Sequence, residues 1–356
     1  MLDKNSTRYQ NVARTIDSFM TLDYTGVGLI GKIYGALQQH QDGYCCMGAA
    51  ERLVATARAH PGAPMLIATG FPEGGGVPET DGPVGAALLA RALFMGLGVI
   101  SVIVVDEDWA GMMKATCMGA GMSPRDLPAS GKAEPVEFLR PVYIKTVPKD
   151  DAGCHRISDA LLDVTRPSLL LAIERPGCNV NGLYHGLGGR PLDGMVADLD
   201  YLFRQAKSQG VLTLGIGDGG NELGMGVIAA ELPTFSPKAV DCGIPGRGGV
   251  GAATAADWLV VSNVSNWGAT GIIAALSALL ENPQVFHEPE LEVRATELCV
   301  ANGGVDGMFM APEPANDGIH IREWEGMVRS LRGSVMRAMG HSINWKGDQG
   351  DWRQLK

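Results

Sequence analysis

Six short apolar, β-branched runs recur along the chain, at Met65–Thr69, Val99–Val105, Val142–Val147, Leu169–Ile173, Val211–Ile216 and Trp258–Ser262. Each is followed by a glycine-rich turn and a helical pattern, the signature of βα units building an α/β fold with a mostly parallel sheet. Helices are predicted over Pro83–Leu97, Ser158–Val164, Met195–Gln209 and Ala269–Leu280. The first and last of these are apolar on nearly every side. Burial under other elements, or in the interface of a homo-oligomer, is expected to cover them.

Residues 1–60 read as a helical N-terminal arm or cap, clearest over Glu51–Ala59. Residues 61–340 read as the α/β domain, with a closing helix over Leu331–Met339, and 341–356 as a polar tail. The polar, proline-bearing stretch 123–140 is either a domain boundary or a long connection inside one domain. With 46% hydrophobic and 19% charged residues, the composition is that of an ordered globular chain rather than a disordered one. The net charge of 29 − 39 = −10, with no basic run longer than a pair, argues against nucleic acid and anionic membrane as partners. Seven cysteines without CxxC spacing fit a reduced compartment and no zinc ribbon. The start has no apolar core of signal-peptide length, and no stretch of about 18 apolar residues occurs. A soluble cytoplasmic protein is expected.

Three glycine-rich stretches stand at predicted carboxyl ends of strands, the edge of an open α/β sheet where ligands bind. The first, Thr69-Gly-Phe-Pro-Glu-Gly-Gly-Gly-Val-Pro-Glu-Thr-Asp-Gly-Pro83, lacks both the P-loop lysine and GxGxxG spacing. Its acids Glu73, Glu79 and Asp81 argue against an anion cradle. Asp81 is either a helix cap or a ligand, and Glu79 is either a solvated loop acid or its partner in a site. The second, Leu214-Gly-Ile-Gly-Asp-Gly-Gly-Asn-Glu-Leu-Gly-Met-Gly226, brings Asp218, Asn221 and Glu222 within five residues. Such oxygen donors suit a hard divalent cation, while a cap with a first-turn acid is the plainer alternative.

The third runs Ala172-Ile-Glu-Arg-Pro-Gly-Cys-Asn-Val-Asn-Gly-Leu-Tyr-His-Gly-Leu-Gly-Gly189. Glu174 emerges where a buried strand ends, followed by Arg175, Asn179, Asn181 and His185 on a loop. Arg175 either clamps a substrate carboxylate or forms an Arg–Glu ion pair that braces the loop. His185 offers a base or a ligand, against the commoner structural role. Arg247 is the best isolated cation for an anionic substrate group. Asn263 offers a hydrogen bond to a ligand, and Asn266 does so or caps the helix that follows. One of Asp106, Glu107 and Asp108 is expected to face the site, Asp306 reads as a turn residue, and Cys178 as a packed thiol.

The strings PETDGPVGAALLARAL, AIERPGCNVNGLYHGLGG, GIGDGGNELGMG, SNWGATGIIAAL and ANGGVDG, with TLDYTGVGLIGKIY near the start, resemble the C-terminal domain of the D-glutamate cyclase family. The resemblance implies conversion of D-glutamate to 5-oxo-D-proline and water, in an α/β fold with a divalent metal, Mn²⁺ or Mg²⁺. It also implies that eukaryotic members are mitochondrial and carry an additional N-terminal domain. Within the matching strings, Glu79, Asp81, Asp218 and Glu222 are the expected metal ligands. Glu174, His185 and Asp218 are the expected catalytic groups. Arg175, Asn179, Asn181, Asn221, Arg247 and Asn263 are the expected contacts to a small anionic substrate. A metal-dependent phosphohydrolase, and a non-catalytic small-ligand sensor, are the alternatives the same acids would serve.

Overall fold

The computed structural model describes residues 2–136 and 138–340, so the tail read over 341–356 lies outside the described residues. Seven strands form one sheet: β1 (Met65–Thr69), β2 (Ser101–Asp106), β3 (Ser123–Asp126), β4 (Pro141–Val147), β5 (Leu169–Ile173), β6 (Leu212–Gly217) and β7 (Trp258–Val261). Their order is β3-β4-β2-β1-β5-β6-β7, and every pairing is parallel. A parallel sheet needs both faces covered, which is why its inner strands read as unbroken apolar runs. In β1, β2 and β5, successive side chains alternate between two cores. Ile67, Ile103 and Leu171 face one, and Leu66, Val102 and Leu170 face the other.

The second core is closed by α6 (Asp151–Thr165) and α7 (Leu199–Ser208). The first is thicker. Against the sheet lie α4 (Pro83–Leu97), α5 (Ala110–Gly119) and α8 (Ser265–Leu280). Around them pack α1 (Thr7–Met20), α3 (Cys45–Ala59), α9 (Pro289–Ala301) and α10 (Ile321–Ala338). The short α2 (Ile30–Leu37) sits by β7. Helix α8 is buried along Ser265–Leu279 by α1, α3, α4 and α10. Its all-round apolarity is accounted for within the chain.

The polar stretch 123–140 contains edge strand β3, whose single neighbour β4 leaves Ser123–Asp126 half-exposed or exposed. An edge strand with one solvated side needs no apolar run. All seven cysteines are free and buried. Among the described residues no helix is long and apolar enough to cross a membrane.

Candidate active site

The chain leaves β1 toward β2 on one side and returns through β5 on the other. The strand order therefore reverses between β1 and β5, and the crevice beyond their carboxyl ends is where an open α/β sheet binds ligands. A cleft of about 230 Å³ opens there. Its lining includes Glu73, Glu79, Glu174, Asp218, Glu222 and Asp317, with Asp23 from the segment after α1, and among the described residues contains no Lys, Arg or His. Asp81 lies against the same cluster: single oxygens of Asp81, Asp218 and Asp317 fall within 4.8 Å of one another, as do those of Glu174, Asp218 and Glu222. Asp218 belongs to both groups.

Two helix N-termini hold this cluster by reciprocal capping. Asp81, which precedes α4, accepts the N–H groups of Ser265 (2.9 Å) and Asn266 (2.6 Å) at the start of α8. Asn266 in turn accepts the N–H groups of Gly82 (2.9 Å) and Gly85 (2.7 Å) at the start of α4. Its amide nitrogen donates to Thr80 O and to Asn316 Oδ1, both at 3.0 Å. Asn266 therefore caps α4 rather than its own helix. Gly82 sits at φ +90, and a Cβ there would lie 2.7 Å from Thr69 Oγ1 and 2.9 Å from Glu174 Cβ. Only glycine lets this loop lie against β1 and β5.

Glu174 follows β5 in the left-handed region (φ +40) and is buried, with Oε2 accepting the Ser265 hydroxyl at 2.6 Å. A non-glycine residue in that conformation is strained, and such strain clusters at functional sites. Glu222 takes three backbone donors of its own loop: Asp218 (3.1 Å) and Gly219 (2.7 Å) to Oε1, and Gly220 (2.7 Å) to Oε2. The sequence offers Glu222 as a ligand; its geometry also makes it the staple of the β6 loop.

Burial, followed by the charges of Glu222 and Asp81, pushes the Glu174 carboxyl well above the usual carboxylate range. Burial with Glu174 and Asp317 does the same to Asp218, and burial with Asp317 and Asp81 to Glu79. Asp81 is raised too, by burial and then Asp317, against the opposing backbone N–H bonds. Crowded carboxylates cannot all ionise without a cation, so each added charge holds protons on its neighbours.

Sequence reasoning missed Asp317. It occupies a two-residue hairpin turn, Asp317-Gly318, with both residues at positive φ (+51 and +75) between Ala315–Asn316 and Ile319–His320. The signal was an Asp-Gly pair, one of the sequences that type I′ turns favour. Asp306 aims that hairpin: it is buried and accepts the N–H groups of Gly318, Met308 and Phe309. The turn role expected of Asp306 extends to placing an acid in the cleft. Asp23, Thr25, Val27 and Leu29 also line the cleft, so the N-terminal segment contributes a wall; the string TLDYTGVGLIGKIY carried that signal.

Of the expected substrate contacts, Asn221 and Asn263 line the cleft. Asn263 Nδ2 is buried without a partner among the described residues, and Asn221 Nδ2 donates to His185 O at 3.1 Å. The others lie elsewhere. Arg175 is fully buried, paired with Asp106 and donating to Ala197 O (2.6 Å) and Gly70 O (3.3 Å). It braces the loop, but by pairing with Asp106 and not with a glutamate as expected. Asp106 is consumed by that pair, Asp108 is exposed and bound to Lys149, and none of Asp106, Glu107 and Asp108 lines the cleft.

Arg247 forks onto Asp193 (2.7 and 2.8 Å) and donates from Nε to His185 Nε2 (3.0 Å). Burial and the Arg247 charge hold the His185 imidazole below its usual pKa. It sits behind the cleft wall formed by Gly186 and Leu187, with Asn221 bound to its backbone. Asn179 bridges Arg247 O and Gly249 O while accepting the Asn181 and Leu183 N–H groups, and Asn181 reaches Arg247 O. These residues build the loop scaffold around the cleft. Cys178 is buried, with its thiol pushed up to about 12 chiefly by burial, as a packed thiol should be.

The fold and site together are a parallel α/β sheet with a carboxylate-lined cleft at its switch point. Residues 35–332 match the family model described as D-glutamate cyclase-like, C-terminal, and the chain belongs to that family. It is 29% identical to human mitochondrial D-glutamate cyclase over 224 residues, a match covering 60% of this chain. The matched region spans about a third of that relative's length, 33%.

Proposed function

We propose that this protein is a divalent-metal-dependent lyase that converts D-glutamate to 5-oxo-D-proline and water. The observation that carries the reading is the cleft itself: among the described residues, seven acids and no Lys, Arg or His line it, in a chain of the D-glutamate cyclase-like family. Carboxylate oxygens packed this closely fit a hard cation, Mn²⁺ or Mg²⁺. Asp81, Asp218 and Asp317 would hold it, which leaves Glu174 free beside them. When bound, the metal supplies Lewis-acid activation of the γ-carboxylate.

The remaining chemistry belongs to the chain. Ring closure joins the α-nitrogen to the γ-carbon and expels one carboxylate oxygen; the nitrogen gives up two protons and the departing oxygen takes both as water. Glu174, buried at the carboxyl end of β5, takes the first proton from the ammonium and returns it to the departing oxygen. The Ser265 hydroxyl orients its Oε2. The acidic lining favours the ammonium end of the substrate, and Asn263 Nδ2 offers a donor to a substrate oxygen.

The test is an assay on metal-stripped protein with D- and L-glutamate separately, with and without Mn²⁺, following loss of primary amine. Metal-dependent loss with the D-isomer is expected, and Asp218→Asn should cut it by about 100-fold or more while the fold persists by circular dichroism. No loss under any condition overturns the reading. Turnover of p-nitrophenyl phosphate instead would replace it with a phosphohydrolase.

A further inference from the structure

Arg175 and Arg247, the two arginines that the sequence offers as carboxylate clamps, are both consumed by the scaffold. Arg190 is not. It closes the turn that carries Gly186 and Leu187 into the cleft wall, with Gly186 N donating to Arg190 O at 2.8 Å. Its Nη2 donates to Pro72 O at 2.9 Å and to Glu73 Oε2 at 3.0 Å. Glu73 lines the cleft, and among the described residues this is the one ion pair made by any of the cleft-lining acids. Nε and Nη1 of Arg190 have no protein partner among the described residues, and the side chain is 36% exposed.

The acids of the lining repel a carboxylate, and its neutral residues offer no charge to hold one. A substrate with two carboxylates needs a cation for each, and a metal in the acid cluster answers for one only. We propose that Arg190 binds the second carboxylate of an amino dicarboxylic acid, exchanging its bond to Glu73 for the substrate. The identity of that substrate rests on the cyclase reading above. The planar guanidinium suits a bidentate carboxylate. Ring closure leaves this second carboxylate untouched, so Arg190 holds substrate and product alike, an interaction that sets KM more than kcat.

Calorimetry in the presence of Mn²⁺ tests this with glutarate, which has both carboxylates and no amine, against butyrate, which has one. Wild type should prefer glutarate by about 10- to 100-fold. Arg190→Ala should abolish the preference with butyrate binding unchanged, and Arg190→Lys should keep part of it. Glu73→Gln, which removes the competing carboxylate, should tighten glutarate. In turnover, Arg190→Ala should raise KM for D-glutamate by the same factor and leave kcat within about threefold.

A wild type without the preference, or an Arg190→Ala variant that keeps it or weakens both ligands equally, overturns the proposal. Preference for glutarate without consumption of D-glutamate sinks the cyclase reading and leaves Arg190 standing. Turnover with an unchanged KM in Arg190→Ala does the reverse.

Discussion

Replacing Asp317 with asparagine isolates what it costs to crowd carboxylates into the cleft. An unperturbed Asp loses its proton near pH 3.9. Burial, then the Asp306 charge, holds the proton on Asp317 up to about 7. Between those values the native chain keeps a proton that the unfolded chain has released. Stability therefore falls as pH rises across that window, and the loss is complete above pH 7. A span of about three pH units at 1.36 kcal/mol each comes to about 4 kcal/mol. Asparagine cannot ionise, and it tolerates the left-handed backbone at φ +51 better than most residues. Urea unfolding of metal-free protein should find Asp317→Asn more stable than wild type at pH 8 by up to about 4 kcal/mol, with the gap narrowing below pH 7 and closing near pH 4. Mn²⁺ should stabilise wild type more than the variant. A variant no more stable than wild type at pH 8 would refute the argument that this acid is held against its own electrostatics.

Two substitutions should move stability the other way. Arg175→Ala leaves Asp106 buried without its cation and should cost about 3–5 kcal/mol in urea unfolding; glutarate affinity of the folded protein should stay at the wild-type value, because the pair does not line the cleft. Glu222→Gln replaces two accepting oxygens with one and cannot satisfy all three N–H groups of Asp218, Gly219 and Gly220. It should lower stability by about 1–3 kcal/mol even at pH 8, opposite in sign to Asp317→Asn.

The buried strands were legible because a parallel sheet leaves no polar face, so β1 and β5 match their apolar runs residue for residue. Edge strand β3 and helices α5 and α9 were not. The first is polar by position, and the helices carry weak amphipathic patterns because both sides touch protein. Among the site residues, acids in glycine frames at strand ends were readable, and Glu79, Glu174, Asp218 and Glu222 do line one cleft. Asp317 was not, since its approach depends on a hairpin about 100 residues from the nearest strand-end acid and on Asp306 behind it. The arginines were misjudged for a related reason. Whether a loop arginine faces ligand or scaffold depends on which acids lie beneath it, and Asp106 and Asp193 are remote from Arg175 and Arg247 in sequence.

The acids of the cleft divide by what already compensates them. Glu222 has three backbone donors, and Asp81 has the N-terminus of α8, where both the N–H groups and the helix dipole favour negative charge. These two are affordable to the fold without a ligand. Asp218 shares a single donor, Ser265 N at 3.1 Å, with Asp81, and Glu174 has one hydroxyl. No donor to the Glu79 carboxylate is found among the described residues, and Asp317 gets relief only from a hydrogen bond with Asp218. Burying like charges without donors opposes folding. The under-compensated set is thus the part of the cluster that a cation would stabilise most. It follows that neutralising Glu79, Glu174, Asp218 or Asp317 should weaken metal affinity most, while Asp81 and Glu222 also set the geometry in which those four meet.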